Sequence, residues 1–254
     1  MEKEKSHKIR YHILDEYRGF MVLNMIAYHT LWDLVYLFGW DLGWYKGDER
    51  QIWRIFIGGS FILVSGFCWQ LGKKQVKRGL LVFGGGAVVT LVTLLFMPNA
   101  KIIFGVLTLH GSAMLIVAAI NKLLQKIPAG IGLVVSFLLF LFVFSINNGY
   151  LGFFGIEMVK LPQAWYANWI TTFLGLPMAS FWSADYYSIF PWLFLYISGY
   201  FAYTILKNNK KLDWATRRIC PPLGWIGKHA FLLYMLHQPV VYGVCVALDY
   251  MGII

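Results

Sequence analysis

The chain has 254 residues, of which 59% are hydrophobic and only 13% charged, and its mean hydropathy is +0.61. A water-soluble domain of this length cannot hide so much apolar surface, because a single core stops growing well before that point. The net charge of +10 does not point to nucleic acid, since the basic residues sit in short clusters between apolar stretches, as in cytoplasmic loops of membrane proteins.

In chain order, seven stretches read as membrane spans, roughly 13–38, 52–71, 80–97, 102–124, 131–149, 188–206 and 226–248. Each approaches the ~20 residues that a helix needs to cross a hydrocarbon core about 30 Å thick. Pro98, Asn99 and Pro128 mark turns where helices end. The segment 162–187 carries Trp165, Trp169, Trp182, Tyr186 and Tyr187 around a shorter apolar run, which suits an interfacial or re-entrant element; a full crossing there would make an eighth span. The expected fold is therefore an all-α, polytopic transmembrane helix bundle with the whole chain, 1–254, as one domain.

Charge asymmetry orients it. With the N-terminus inside, fifteen basic residues are cytoplasmic: Lys3, Lys5, Lys8, Arg10, Lys73, Lys74, Lys77, Arg78, Lys122, Lys126, Lys207, Lys210, Lys211, Arg217 and Arg218. Five face the other side: Lys46, Arg50, Arg54, Lys101 and Lys160. This places the N-terminus in the cytoplasm and the C-terminus outside, in the cell membrane. The first span has no small-residue cleavage site and is expected to be retained. Cys68, Cys220 and Cys245 lack metal-site spacing and read as free thiols. No internal repeat of the transporter kind is visible.

Ionisable residues inside a span are expensive and are functional candidates by default. Arg18, Val22, Met25, His29 and Asp33 recur at steps of four, three, four and four, one face of a helix. His29 lies eleven residues after Arg18, about 16 Å along the axis. Asp33, one turn beyond, is placed to orient the His29 ring as a carboxylate orients a general base. His110, Asp185 and His237, the last followed by Gln238 and Pro239, are further candidates. His7 and His12 read as solvated, and Lys228 and His229 as interfacial. Gly58-Gly59-Ser60 and Gly84-Gly85-Gly86 read as sites of close helix packing. Gly-rich faces are also compatible with a homodimer. No nucleotide-binding, zinc-protease or serine-hydrolase motif occurs.

Several runs carry a family resemblance. Ile13-Leu14-Asp15-Glu16-Tyr17-Arg18-Gly19 resembles the opening motif of membrane acyltransferases, and Arg18 with His29 has the spacing seen in the acyltransferase-3 group. Phe61 to Phe67, with Ser65-Gly66-Phe67, looks like their early-helix segment. Met25-Ile26-Ala27-Tyr28-His29 with Asp33, Phe104-Gly105-Val106-Leu107 and Leu174-Gly175-Leu176-Pro177 are similar to the heparan-alpha-glucosaminide N-acetyltransferase catalytic-domain family. So are Ala184-Asp185-Tyr186-Tyr187 with Pro191-Trp192, Ile226-Gly227-Lys228-His229, and Tyr234-Met235-Leu236-His237-Gln238-Pro239.

The resemblance implies transfer of an acyl group, typically acetyl, from cytoplasmic acyl-CoA to an amine or hydroxyl of a sugar-like or glycolipid acceptor on the far side. It implies His29 as the family-type histidine, Arg18 near the CoA end and Asp185 as a motif acid. Lysosomal animal members place their active histidine in the following loop, whereas residues 40–51 here contain none; His110 is then a substitute. The CoA phosphates would sit at the basic inner face, with Lys73, Lys74, Arg78, Arg217 and Arg218, and His237 is added to the donor-binding set. Such a protein needs acetyl-CoA or another acyl-CoA as co-substrate, no metal and no nucleic acid. Other readings use the same residues: a proton-coupled small-molecule transporter relaying through His29, Asp33 and His237, or a non-catalytic membrane protein with these residues in its spans, or a haem or metal protein using His29, His110 and His237.

Overall fold

The structure, a computed structural model, describes residues 10–254, and these are mostly helical. Lys3, Lys5, His7 and Lys8 lie outside the described residues. In chain order the helices are α1 (His12–Tyr36), α2 (Asp48–Cys68), α3 (Gln75–Phe96), α4 (Val106–Leu124), α5 (Ala129–Val143), α6 (Trp169–Leu174), α7 (Trp192–Asn208), α8 (Pro221–Lys228) and α9 (Ala230–Tyr250). A two-stranded antiparallel ribbon, β1 (Tyr150–Leu151) and β2 (Val159–Lys160), pairs Tyr150 with Lys160 and Leu151 with Val159.

Among the described residues, five helical segments are long and apolar enough to cross a membrane: Asp48–Leu71, Gln75–Phe96, Val106–Leu124, Ala129–Asn148 and Ala230–Tyr250. The other two expected spans are also helices. α1 has 25 residues, but Asn24, His29, Thr30 and Asp33 dilute its apolar content. α7 has 17 and carries Lys207 in its last turn. In the segment 162–187 the helix, α6, is too short to cross: it has six residues, about 9 Å at 1.5 Å per residue. Asn168 caps α6 through the amides of Ile170 and Thr171, and Gly175, at φ 129°, ends it. The last expected span begins at Ala230, because the backbone at His229 leaves the helical region and separates α8 from α9.

The chain divides into two compact units, one of residues up to Ile57 with Leu206–Ile254, the other Gly58–Ile205. In the first, α1 packs on α8 and α9. Gly19 and Gly227 let α1 and α8 touch backbone to backbone: a Cβ at Gly19 would collide with the Leu223 carbonyl, and one at Gly227 with the Asp15 carbonyl. The sequence around this joint explains itself locally. Asp15 pairs with Arg10 at 2.9 Å and with Arg18 at 3.1 Å. Buried Glu16 accepts the Ile219 N–H through both carboxylate oxygens, at 3.1 and 3.2 Å. Val22, Met25 and Asp33 lie on the buried face of α1, while Phe20 and Leu23 on the other side are exposed, an apolar surface suited to lipid.

The second unit is built on close helix contacts. Gly111 of α4 meets the backbone of Phe83 on α3, and Gly86 of α3 meets Thr108. Gly66 of α2 and Gly199 of α7 each leave room for a backbone carbonyl of the opposite helix, Tyr196 and Leu63 respectively. Gly58 lies against the Tyr187 ring, whereas Gly84 faces open space. Most of the glycines that suggested a homodimer are thus used inside the chain, and no observation supports the dimer. Ser136 and Ser198 join α5 to α7 at 2.9 Å, and Tyr200 donates to Asn121 of α4 at 2.8 Å. The outward side chains of α3 and α5, among them Leu80, Leu91, Leu95, Ile131, Val134 and Leu138, are apolar and exposed.

Candidate functional site

The candidate centre lies where α1 meets α9, within the first unit. The 3.6-residue repeat brings His29 and Asp33 to one side of α1. On α9, His237 and Gln238 precede Pro239, which has no N–H to continue the helix ladder. The His29 and His237 rings face one another with centroids 4.9 Å apart at 53°. Tyr28 closes on the other side of His29, edge-on at 5.4 Å.

The carboxylate of Asp33 does not orient His29, contrary to the i, i+4 expectation. Asp33 Oδ1 accepts the side-chain amide of Gln238 at 2.8 Å instead. An i, i+4 pair on a helix stands one above the other, but the amide crossing from α9 takes the carboxylate first. Asp33 is fully buried. His237 Nδ1 contacts the Tyr234 carbonyl at 2.7 Å. A carbonyl can only accept, so Nδ1 carries the hydrogen and Nε2 is the lone-pair atom of the neutral ring. His29 is half-buried, His237 buried.

Above this layer an aromatic cluster fixes the connection to α2. Tyr45, fully buried, donates its hydroxyl to the Tyr28 carbonyl at 2.6 Å, and Trp53 donates to Asn24 at 3.2 Å. Burial drives the Tyr45 hydroxyl well above the ordinary tyrosine range. Arg50 lies over the Tyr36 ring, 5.4 Å from its centroid. At the surface Lys46 pairs with Asp41 at 2.8 Å and holds that carboxyl below its usual range.

His110 and Asp185 belong to the second unit. His110 Nδ1 bonds the Val106 carbonyl in the first turn of α4 at 2.8 Å. The Asp185 carboxylate faces the Val106 amide at 3.5 Å, as an acid at a helix N-terminus should. The strand of chain around it is stitched to the loop before α4: Ala184 N–H donates to the Lys101 carbonyl and Tyr187 N–H to the Phe104 carbonyl. His110 and Asp185 are thus brought together around one helix start.

The basic residues fall in two places. Lys73, Lys74 and Arg78 are exposed around the start of α3, where Gln75 folds back onto the carbonyls of Trp69 and Gly72. Arg217 and Arg218 are exposed just before Ile219, the residue that Glu16 anchors. Arg18 is held by Asp15. Among the described residues no group of three or more His, Cys, Asp and Glu could hold a metal ion. Sequence reasoning assigned no role to Gln238 or Glu16. Both act across 200 residues of sequence, and the only signal for Gln238 was its place beside His237.

A family model described as "Heparan-alpha-glucosaminide N-acetyltransferase, catalytic" matches residues 10–239. No curated protein and no solved structure matches the chain.

Proposed function

The chain belongs to the heparan-alpha-glucosaminide N-acetyltransferase catalytic family, and from this we propose that it moves an acetyl group from cytoplasmic acetyl-CoA to a sugar-like acceptor on the opposite side of the cell membrane. Membership and the apolar helices make it a membrane transferase of the N-acetyltransferase type. The finer reading rests on one observation above all: two imidazoles, His29 and His237, in tilted contact at a helix crossing beside the buried Asp33–Gln238 pair.

In this reading α1 and α7 cross the membrane with the five longer apolar helices, and the whole chain works as one domain. Seven crossings put the termini on opposite sides, and the fifteen-to-five excess of basic residues favours a cytoplasmic N-terminus. Lys73, Lys74, Arg78, Arg217 and Arg218 then lie on the cytoplasmic side, available to the CoA phosphates, with Arg18 nearly two turns into α1. The pantetheine arm carries the thioester into the bundle. His29 removes a proton from the acceptor nitrogen as its lone pair forms the bond to the thioester carbonyl carbon. The carbon–sulfur bond then breaks, and the imidazolium returns the proton to the CoA sulfur. A positioned base of this kind contributes about 10²- to 10⁴-fold in rate. His237, against the same face, shapes and desolvates the site around the thioester. Asp185 and His110 are assigned to the acceptor side.

The two histidines also permit a two-step route, with the acetyl group carried on an imidazole. Rapid mixing of enzyme with acetyl-CoA, without acceptor, separates the routes. A burst of free CoA matching the enzyme concentration marks the acetyl-enzyme, and its absence marks direct transfer. The assignment of His29 is tested by acetyl-CoA turnover in His29→Ala, which should bind acetyl-CoA and lose at least about 10²-fold in transfer. Transfer at the wild-type rate would exclude His29.

A further inference from the structure

Two oxygen atoms at the α1–α9 crossing are buried without a hydrogen-bond partner: Asp33 Oδ2 and Gln238 Oε1. The other polar atoms of the same two side chains are joined, Gln238 Nε2 donating to Asp33 Oδ1 at 2.8 Å. The two open acceptors therefore belong to one linked unit. With Asp33 ionised, the amide orientation follows, since a carboxylate can then only accept. A buried acceptor left without a donor is costly, and a site in lipid has no solvent to offset it. This unit stands one helical turn from His29 on α1 and one residue from His237 on α9, the two rings of the candidate centre.

Resting on the acetyltransferase reading, we propose that Asp33 Oδ2 and Gln238 Oε1 receive the two N–H groups of a primary amine on the acceptor, and that this pair selects amines over hydroxyls. A neutral primary amine has two N–H donors and one lone pair. With both donors engaged, the lone pair points away from the pair, available to the thioester carbonyl; once attack makes the nitrogen cationic, the proton held by Gln238 Oε1 is the one that passes to His29. A hydroxyl or a secondary amine has one hydrogen and leaves one buried acceptor unsatisfied. Polar sites built for a donor reject analogues that lack it by large factors, because their buried groups are then unpaired. Asp33 is fully buried and fixed, while Gln238 is half-buried and is the side chain that turns to admit the amine. Gln238 is also a positioning residue for Asp33, and Asp33 takes no proton in this step.

The test uses purified full-length protein with acetyl-CoA and three matched probes: glucosamine, N-methylglucosamine and glucose. Wild type should prefer glucosamine to the other two by at least about 100-fold in kcat/KM. Gln238→Met keeps the side-chain length and removes the acceptor oxygen. In it the preference for glucosamine over N-methylglucosamine should fall at least about tenfold, mainly through the KM of the amine, with the KM of acetyl-CoA unchanged. Asp33→Asn, which replaces the carboxylate with an amide, should reduce the same preference independently. The preference is a ratio within one preparation, so partial misfolding does not move it. An unchanged ratio in both variants overturns the proposal, and so does an equal loss with all three probes, which would mark a structural role. If wild type binds no acetyl-CoA and acetylates no probe, the acetyltransferase reading falls and takes this inference with it. If wild type binds acetyl-CoA but acetylates none of the probes, or acetylates them without preference, only the inference falls.

Discussion

The ring of His237 packs at a tilt against that of His29 across the α1–α9 crossing, with centroids 4.9 Å apart and planes 53° from parallel. Removing either ring has a different consequence. His29→Ala removes the proposed base and should lower turnover by about 10²- to 10⁴-fold with acetyl-CoA binding retained. His237→Ala removes a packing and desolvating neighbour, so its loss should be smaller and shared between kcat and KM. Steady-state kinetics of the two single variants and the double variant check this. If they act as one unit, the double variant loses little more than His29→Ala alone.

The α1–α8 joint is a separate, purely structural matter. A side chain at Gly227 would collide with the Asp15 carbonyl, a backbone atom that cannot step aside. Gly227→Leu should therefore destabilise the protein by about 3 kcal/mol, the upper end of ordinary overpacking. Gly84→Leu, at a glycine with open space around it, should leave the melting temperature in detergent unchanged and serves as the control.

Arg18 and the pair Arg217 and Arg218 should separate by readout. Arg18 is held by Asp15 at 3.1 Å, so Arg18→Ala should lower stability by about 1 kcal/mol. Arg217 and Arg218 are exposed. Their double alanine variant should leave the melting temperature unchanged and raise the KM of acetyl-CoA. The effect should shrink as salt is added, because exposed charges are screened. Thermal melts and acetyl-CoA kinetics at two ionic strengths decide it.

Much of this arrangement is legible in the sequence. Each of the seven apolar stretches holds a helix, and five of these helices are long and apolar enough to cross a membrane, because a long run without charges in lipid must satisfy its backbone internally. The stripe of Val22, Met25 and Asp33 is the buried face of α1, as the 3.6-residue period requires. Gly86 makes the close packing expected of it, and Gly84 does not. Partner choice is what local spacing does not reveal. Asp33 stands one turn from His29, yet its carboxylate is taken by Gln238, 205 residues away. Likewise Glu16 anchors Ile219, and Tyr45 reaches the Tyr28 carbonyl from a short connection. In the run 162–187, Trp169 and Tyr186 pack against Phe181, and the helix there is only six residues long.

Tyr45 offers a test by pH. Burial raises its hydroxyl above the ordinary value of 10.0. The stabilisation from a raised tyrosine is complete below that value and is lost as pH rises, because the unfolded chain ionises first. Tyr45→Phe should cost about 1 kcal/mol at neutral pH through the lost bond to the Tyr28 carbonyl. Above about pH 10 its stability should fall less steeply than that of wild type. Melting temperatures of the two proteins from pH 8 to about pH 11 check the sign.

Sided transfer is best measured in sealed proteoliposomes, with glucosamine trapped inside and acetyl-labelled acetyl-CoA added only outside. Wild type should accumulate labelled N-acetyl product in the lumen while free CoA appears outside, and His29→Ala should not. Failure to bind acetyl-CoA, with no labelled product on either side of the membrane, would contradict an acetyltransferase and leave a transporter using the same histidines and Asp33 as the better reading.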